Sequence, residues 1–223
     1  MQKLVVVQMP VKEKKAAGDI TIHATGKVQL SGVNPYGENE NGLGSGIYVR
    51  SKGTNAGDAG SLSLTASALS ITEGAEMSAS TSGRGQGGHI NLNINGPTSI
   101  SGNSAHIILE EPKKSQLNFQ REFPNYQKNR IAISGIYGNS FSSTNDAGEA
   151  GTIKIKTHHL NLTEGALINT STKQASGGNI TITTPNLLYL QEGEITTSVQ
   201  HGGKDDGGNI AFFVLVKYKK GQP

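Results

Sequence analysis

Apolar and polar residues alternate along this chain in short bursts, and the bursts recur. Each begins at a glycine: "GDITIHA" at Gly18, "GSLSLTA" at Gly60, "GHINLNI" at Gly88, "GTIKIKT" at Gly151, "GNITITT" at Gly178 and "GNIAFFV" at Gly208. In the first five, apolar residues occupy every second position, as Ile20 and Ile22, Leu62 and Leu64, Ile90 and Leu92, Ile153 and Ile155, and Ile180 and Ile182. Period two marks a β-strand with one buried face, because successive side chains on a strand point to opposite sides. The starts lie 28 residues apart from Gly60 to Gly88, 27 from Gly151 to Gly178 and 30 from Gly178 to Gly208. The longer intervals, 42 after Gly18 and 63 after Gly88, hold extra segments.

Each unit of about 28 residues predicts two further strands. The second pairs Val28 with Leu30, Leu69 with Ile71, Thr98 with Ile100, Leu160 with Leu162 and Leu188 with Leu190. A turn follows, written Thr72-Glu73-Gly74, Thr163-Glu164-Gly165 and Gln191-Glu192-Gly193, or shortened to Ser31-Gly32 and Ser101-Gly102, with the glycine expected at positive φ. The third strand points Ile47, Met77, Ile136, Ile168 or Ile195 inward and Tyr48, Ser78, Tyr137, Asn169 or Thr196 outward. Three strands with one apolar face each cannot bury that face within one unit, so the units are expected to stack. The predicted fold is all-β: a right-handed parallel β-helix of about six three-strand coils, the hand following from the crossover rule. At about 4.8 Å per coil it would be roughly 25 to 30 Å long. The expected organisation is a lead-in over 1–17, the β-helix over 18–210 with insertions at about 33–44 and 110–130, and a divergent tail over 211–223, where alternation fails from Phe212 to Val216.

Composition agrees and narrows the function. Glycine supplies 30 of 223 residues while aromatics are only 5%, as expected of short strands and many turns. The formal charge of +3 is spread along the chain, which does not indicate a nucleic-acid partner. With no cysteine, neither disulfides nor thiolate metal sites can hold the fold. No run approaches the roughly 18 apolar residues of a membrane helix. Leu4 to Val7 is too short for the core of a signal peptide, so any export signal is expected outside this sequence.

The units from Gly57 to Ile94 and from Gly148 to Thr184 carry "GGNITI", "LxLxEGA", "I-x-T-S-T" and "GGN"-type elements in a fixed order. In this they resemble the repeats of filamentous haemagglutinin-like exoproteins, the two-partner secretion family abundant in cyanobacteria and proteobacteria, over Gly18 to about Ile210. The resemblance implies a β-helical stalk exported through an outer-membrane transporter and displayed outside the cell, where it meets a glycan or protein of a host or neighbouring cell surface. It implies no catalysis and no cofactor. The family's secretion domain is not matched; "NPYG" at Asn34 to Gly37 falls within an insertion of a stalk coil. Two other readings stay open: a fragment of a β-helical polysaccharide-active enzyme, and a decayed gene fragment without a function of its own.

Candidate chemistry is sparse. An enzyme of this fold class needs carboxylates converging on one face of neighbouring coils. The nearest pair, Glu164 and Glu192, sits at a repeated turn position and is expected to be solvated. His158 and His159 sit between the first and second strands, where adjacent residues point to opposite faces, and make a poor chelate. The outward third-strand positions Ser78, Ser80, Asn139, Asn169, Ser171, Thr196 and Ser198 are expected to form a solvated β face. The segment that breaks the repeat, Glu110 to Arg130, sets Phe119, Phe123 and Tyr126 among Lys113, Lys114, Arg121, Lys128 and Arg130. Aromatics framed by cations on a projecting insertion suit a partner-binding loop.

Overall fold

The computed structural model describes residues 16–33, 44–53, 55–105, 131–199 and 206–214. Among the described residues every regular element is a strand, and three strands make a coil. The first coil holds β1 (Ile20–His23), β2 (Lys27–Ser31) and β3 (Gly46–Tyr48). The second holds β4 (Leu62–Ala66), β5 (Ala68–Thr72) and β6 (Glu76–Ser78), and the third β7 (His89–Ile94), β8 (Pro97–Ser101) and β9 (Gly135–Tyr137). The fourth holds β10 (Thr152–Lys156), β11 (His159–Thr163) and β12 (Leu167–Asn169), and the fifth β13 (Ile180–Thr184), β14 (Leu187–Gln191) and β15 (Glu194–Thr196). β16 (Ile210–Val214) opens the sixth.

Equivalent strands pair in parallel up the axis, giving sheets in the order β1-β4-β7-β10-β13-β16, β2-β5-β8-β11-β14 and β3-β6-β9-β12-β15. The register aligns the repeat residue for residue: Ile20 with Leu62, Leu62 with Ile90, Ile90 with Ile153, Ile153 with Ile180 and Ile180 with Ile210. This is a three-sheet parallel β-helix, and the apolar alternation faces its axis. Leu62, Leu64, Ile90, Ile153, Leu160, Leu162, Ile180 and Ile182 are buried in one continuous column with Ile47, Met77, Ile136 and Ile168 of the third sheet. Thr98 takes an inward place otherwise filled by Val or Leu, and its hydroxyl donates to Thr157 Oγ1 at 3.0 Å, which in turn reaches the Gly96 carbonyl at 2.7 Å. The polar atom is thereby satisfied in a dry core.

Two glycine positions have distinct physical causes. The unit-opening glycines stack directly: a Cβ on Gly60, Gly88, Gly151, Gly178 or Gly208 would lie 1.7 to 2.2 Å from the carbonyl oxygen of the equivalent glycine one coil below. The side chain must be absent because backbone passes over backbone. The turn glycines instead serve conformation, and the glutamate before them shares it. Glu73 and Gly74 have φ of 56° and 82°, Glu164 and Gly165 of 56° and 78°, with Ala75 N and Ala166 N closing onto the carbonyls of Thr72 and Thr163 at 3.1 Å. Two successive left-handed residues make a type I′ turn. Gly193 departs from the expectation: Glu192 is left-handed at 58°, while Gly193 is not, and a Cβ there would sit 2.5 Å from the Leu162 carbonyl oxygen.

At the C-terminal side the coil runs beyond the expected boundary at 210. β16 pairs with β13 from Ile180↔Ile210 to Thr184↔Val214, because ladder pairing needs only backbone groups and survives the loss of alternation at Phe213. Ile210, Phe212, Phe213 and Val214 are exposed there.

Candidate functional site

Both insertions leave the β-helix at the same corner, between the second and third strands, on coils one and three. The chain departs at Val33 and returns at Gly44, departs at Asn103 and returns at Ile133, each pair joined by an antiparallel bridge. Ser45 N donates to Gly32 O at 2.9 Å, and Ser104 N to Ala132 O at 2.9 Å, closing each root. Coil two turns tightly through Glu73-Gly74 between them. Gly74 N donates to Ser134 Oγ at 2.9 Å, and a Cβ on Gly74 would touch both Ala132 and Val33.

Each returning chain enters the same tetrapeptide, Ser45-Gly46-Ile47-Tyr48 and Ser134-Gly135-Ile136-Tyr137. The isoleucine points into the core and the tyrosine folds back over the glycine; a Cβ on Gly46 would lie 3.0 Å from Tyr48 Cζ, and one on Gly135 2.7 Å from Tyr137 Cζ. The phenol then donates to the carbonyl four residues earlier: Tyr48 to Gly44 O at 2.5 Å, Tyr137 to Ile133 O at 2.9 Å. Each tyrosine thus ties down the residue at which its insertion re-enters. Burial, reinforced by the Glu76 carboxylate, holds both phenols well above the ordinary tyrosine range, so they stay protonated donors.

Coils one and two supply one charge each to an ion pair here, Arg50 and Glu76. The register sets Glu76 between Gly46 and Gly135, and Ser78 between Tyr48 and Tyr137. The two tyrosines are therefore two strand spacings apart, about 10 Å. Arg50 bonds Glu76 at 2.9 Å, donates from Nε to Ser78 Oγ at 2.8 Å, and lies 4.4 Å from the centroid of the Tyr48 ring. Both partners of this ion pair are largely shielded, at 16% and 14% exposure.

The neighbouring outward positions correct an expectation. Ser78, Ser80, Asn139 and Ser171 are buried. A serine flanked 4.8 Å above and below by Tyr, Arg or Asn side chains is covered by them, although it points away from the axis. Ser78 Oγ meets Ser80 Oγ at 3.0 Å, Asn139 N donates to Ser80 Oγ at 3.1 Å, Ser171 N to Asn139 Oδ1 at 2.9 Å and Ser198 Oγ to Ser171 Oγ at 2.9 Å. This is a hydrogen-bonded ladder along the axis.

Over this surface lies a cleft of about 390 Å³, lined by Arg50, Glu76, Ser80, Ser82, Tyr137 and the rim residues Ile131, Ile133 and Phe141. The rim is apolar yet exposed: Ile131 at 57%, Phe141 at 49% and Ile133 at 41%. Glu76 is the one carboxylate lining the cleft among the described residues.

The expected partner-binding residues Lys113, Lys114, Phe119, Arg121, Phe123, Tyr126, Lys128 and Arg130 lie outside the described residues; what is placed is the root that carries them, Asn103 to Ala105 and Ile131 to Ile133, which opens onto the cleft. Glu164 is turned towards coil three, where Ser101 Oγ donates to it at 3.4 Å, and Glu73 likewise accepts from Ser31 at 2.5 Å. The turn glutamates latch the shortened Ser-Gly turns of the coil below. His158 is exposed, and no group of three or more His, Asp or Glu among the described residues is placed to hold a metal ion. Arg50, Glu76 and Phe141 are not singled out by the repeat, yet the duplicated Ser-Gly-Ile-Tyr after each insertion is visible in the sequence and marks this corner.

The fold and the cleft define a parallel β-helix whose insertion corner carries a concave polar site with an apolar rim. Compared with protein-family models, curated proteins and solved structures, the chain matches none.

Proposed function

We propose that this chain is a structural and adhesive stalk segment of a bacterial surface exoprotein, exported through an outer-membrane transporter and displaying a binding corner to glycans or proteins of another cell. The observation that carries the reading is the convergence of both insertions on one corner, two coils apart, around a cleft with exposed apolar rim residues. Binding elements on solenoids cluster in this way, because the stacked coils hold successive insertions in fixed register. The resemblance of the repeats to haemagglutinin-like exoproteins supports the extracellular setting. A polysaccharide-active enzyme is the weaker reading, since Glu76 is engaged by Arg50 and the turn glutamates face the serines of the coil below.

The test is attachment. Beads coated with the chain should adhere to cells or glycan-coated surfaces, and deletion of Lys113 to Lys128 should abolish adhesion. Adhesion by neither form, or equal adhesion by both, would remove the adhesive reading.

A further inference from the structure

We infer that the outer face of the first sheet binds a linear polysaccharide that carries carboxylates. This goes beyond the adhesive reading and does not rest on it: both insertions leave between the second and third strands, while this surface belongs to β4, β7, β10, β13 and β16. Three adjoining depressions follow the outward residues of β10 in order. Thr152 and Lys154 line one, Lys154 and Lys156 the next, and Lys156 with His158 the last, so a single track runs along the strand and across the long axis. From Thr152 to Lys156 it measures about 13 Å, and His158 carries it to the corner.

The track has charge of one sign. Lys154, Lys156, His89 and His158 line the three depressions, and among the described residues no Asp or Glu does. Both lysines are exposed, about 6.6 Å apart along the strand, and neither ammonium has a carboxylate or hydrogen-bond partner among the described residues. The register sets Asn91 and Asn93 on one side of them and Thr181 and Thr183 on the other. The side chains of these four also make no hydrogen bond among the described residues, so a ligand meets open donors and acceptors without breaking a contact already made. Phe213, 59% exposed and one strand beyond Thr183, adds an aromatic wall.

Each feature removes a class of ligand. Two lysines are too few for duplex nucleic acid, which carries a charge about every 1.7 Å, and too few to hold the sheet on an anionic membrane without an apolar anchor. A protein interface centres on apolar anchors, whereas the outward residues of β4, β7, β10 and β13 are all polar. An acidic peptide has no ring C–H face for Phe213, and a sulfated polymer has given up hydroxyls to its esters. A uronate chain meets every demand: carboxylates at intervals for the lysines, free hydroxyls for Asn91, Asn93, Thr181 and Thr183, and ring faces for Phe213.

The full chain, labelled with nitrogen-15, would be titrated by NMR with hexagalacturonate, its fully methyl-esterified form, a sulfated oligosaccharide of the same length and hexaglutamate. Hexagalacturonate is expected to shift the amide resonances of Asn91, Lys154, Lys156 and Thr181 saturably, with each of the other three at least about tenfold weaker. Lys154→Gln should weaken binding at least about fivefold at an unchanged melting temperature, since the side chain is exposed, and Lys154→Arg should keep it. Lys27→Gln, which removes an exposed lysine from the second sheet, should leave the affinity unchanged. Absence of saturation at about 10 mM overturns the inference. So does equal or tighter binding of the ester, the sulfated oligomer or the peptide, or an affinity indifferent to Lys154→Gln. An equal loss in Lys27→Gln would reduce the attraction to net charge and also overturn it. Binding should persist in the chain lacking Lys113 to Lys128; its loss there would move the ligand to the insertion corner and strike this assignment, whatever the adhesion test shows.

Discussion

Tyr48 and Tyr137 occupy equivalent positions on coils one and three, and the same hydrogen bond to the i−4 carbonyl recurs at each. Tyr137→Phe keeps the ring over Gly135 and removes only the bond to Ile133, so a loss of about 1 kcal/mol is expected by urea denaturation. The phenols also predict an alkaline weakness. Their folded-state pKa is raised above the ordinary 10.0, so the stabilisation is complete below pH 10 and declines as the pH rises beyond it, where the unfolded chain sheds protons that the folded chain retains. The decline should be shallower in Tyr137→Phe, and equal slopes would dissociate the tyrosines from it. Ser171 carries the other residue-scale lesson. Alternation alone marks it as solvated, so that an acidic substitution there would be nearly silent. Since it is buried beside the side-chain carbonyl oxygens of Asn139 and Asn169, Ser171→Asp is expected to lower stability by roughly 2 kcal/mol. Leu162→Asp, which sets an unpaired charge in the apolar column, should lower it by several kcal/mol. A Ser171→Asp chain as stable as the parent would return that position to solvent.

Among elements, the insertions are separable from the coils that bear them. Asn103 and Ile133 are bridged, and Ala132 N and Ser104 N are both satisfied within the root, so the ladder closes before the inserted residues begin. Loop closure changes by only about 0.6 kcal/mol per doubling of length. Deleting Lys113 to Lys128 should therefore leave far-UV circular dichroism and melting near those of the parent, whereas collapse would mean that the deleted aromatics belong to the core. Strands were legible from period two alone, because Ile90, Ile153 and Ile180 repeat an inward choice that only stacking can satisfy. The corner was not. Cleft formation depends on Tyr48, Glu76 and Tyr137 falling in register across insertions of different length, and on side chains in one coil covering those in the next. A single strand's alternation carries neither fact. The left-handed glutamates escaped for a related reason: glycine announces positive φ, while Glu73 and Glu164 adopt it under the type I′ turn they share with Gly74 and Gly165.

For the molecule as a whole, coil spacing is set where backbone rides on backbone at the unit-opening glycines. Gly88→Ala would place a methyl group 1.9 Å from the Gly60 carbonyl oxygen and wedge two coils apart, so severe thermal destabilisation is expected; Gly26→Ala, with nothing within 4 Å, should melt close to the parent. Similar melting of the two variants would mean that the stack can dilate. The parallel ladders have a mechanical corollary. The hydrogen bonds between strands of the three parallel sheets run along the long axis, so tension applied from end to end loads these bonds lengthwise, and the outermost coil carries the fewest. Such a molecule yields by peeling, one coil at a time from its ends. Release of a coil without an insertion frees about 28 residues, some 90 Å of slack at full extension, while the coils beneath stay wound. Under shear, the β-helix would act as a ratcheted spool that lengthens in steps before it breaks.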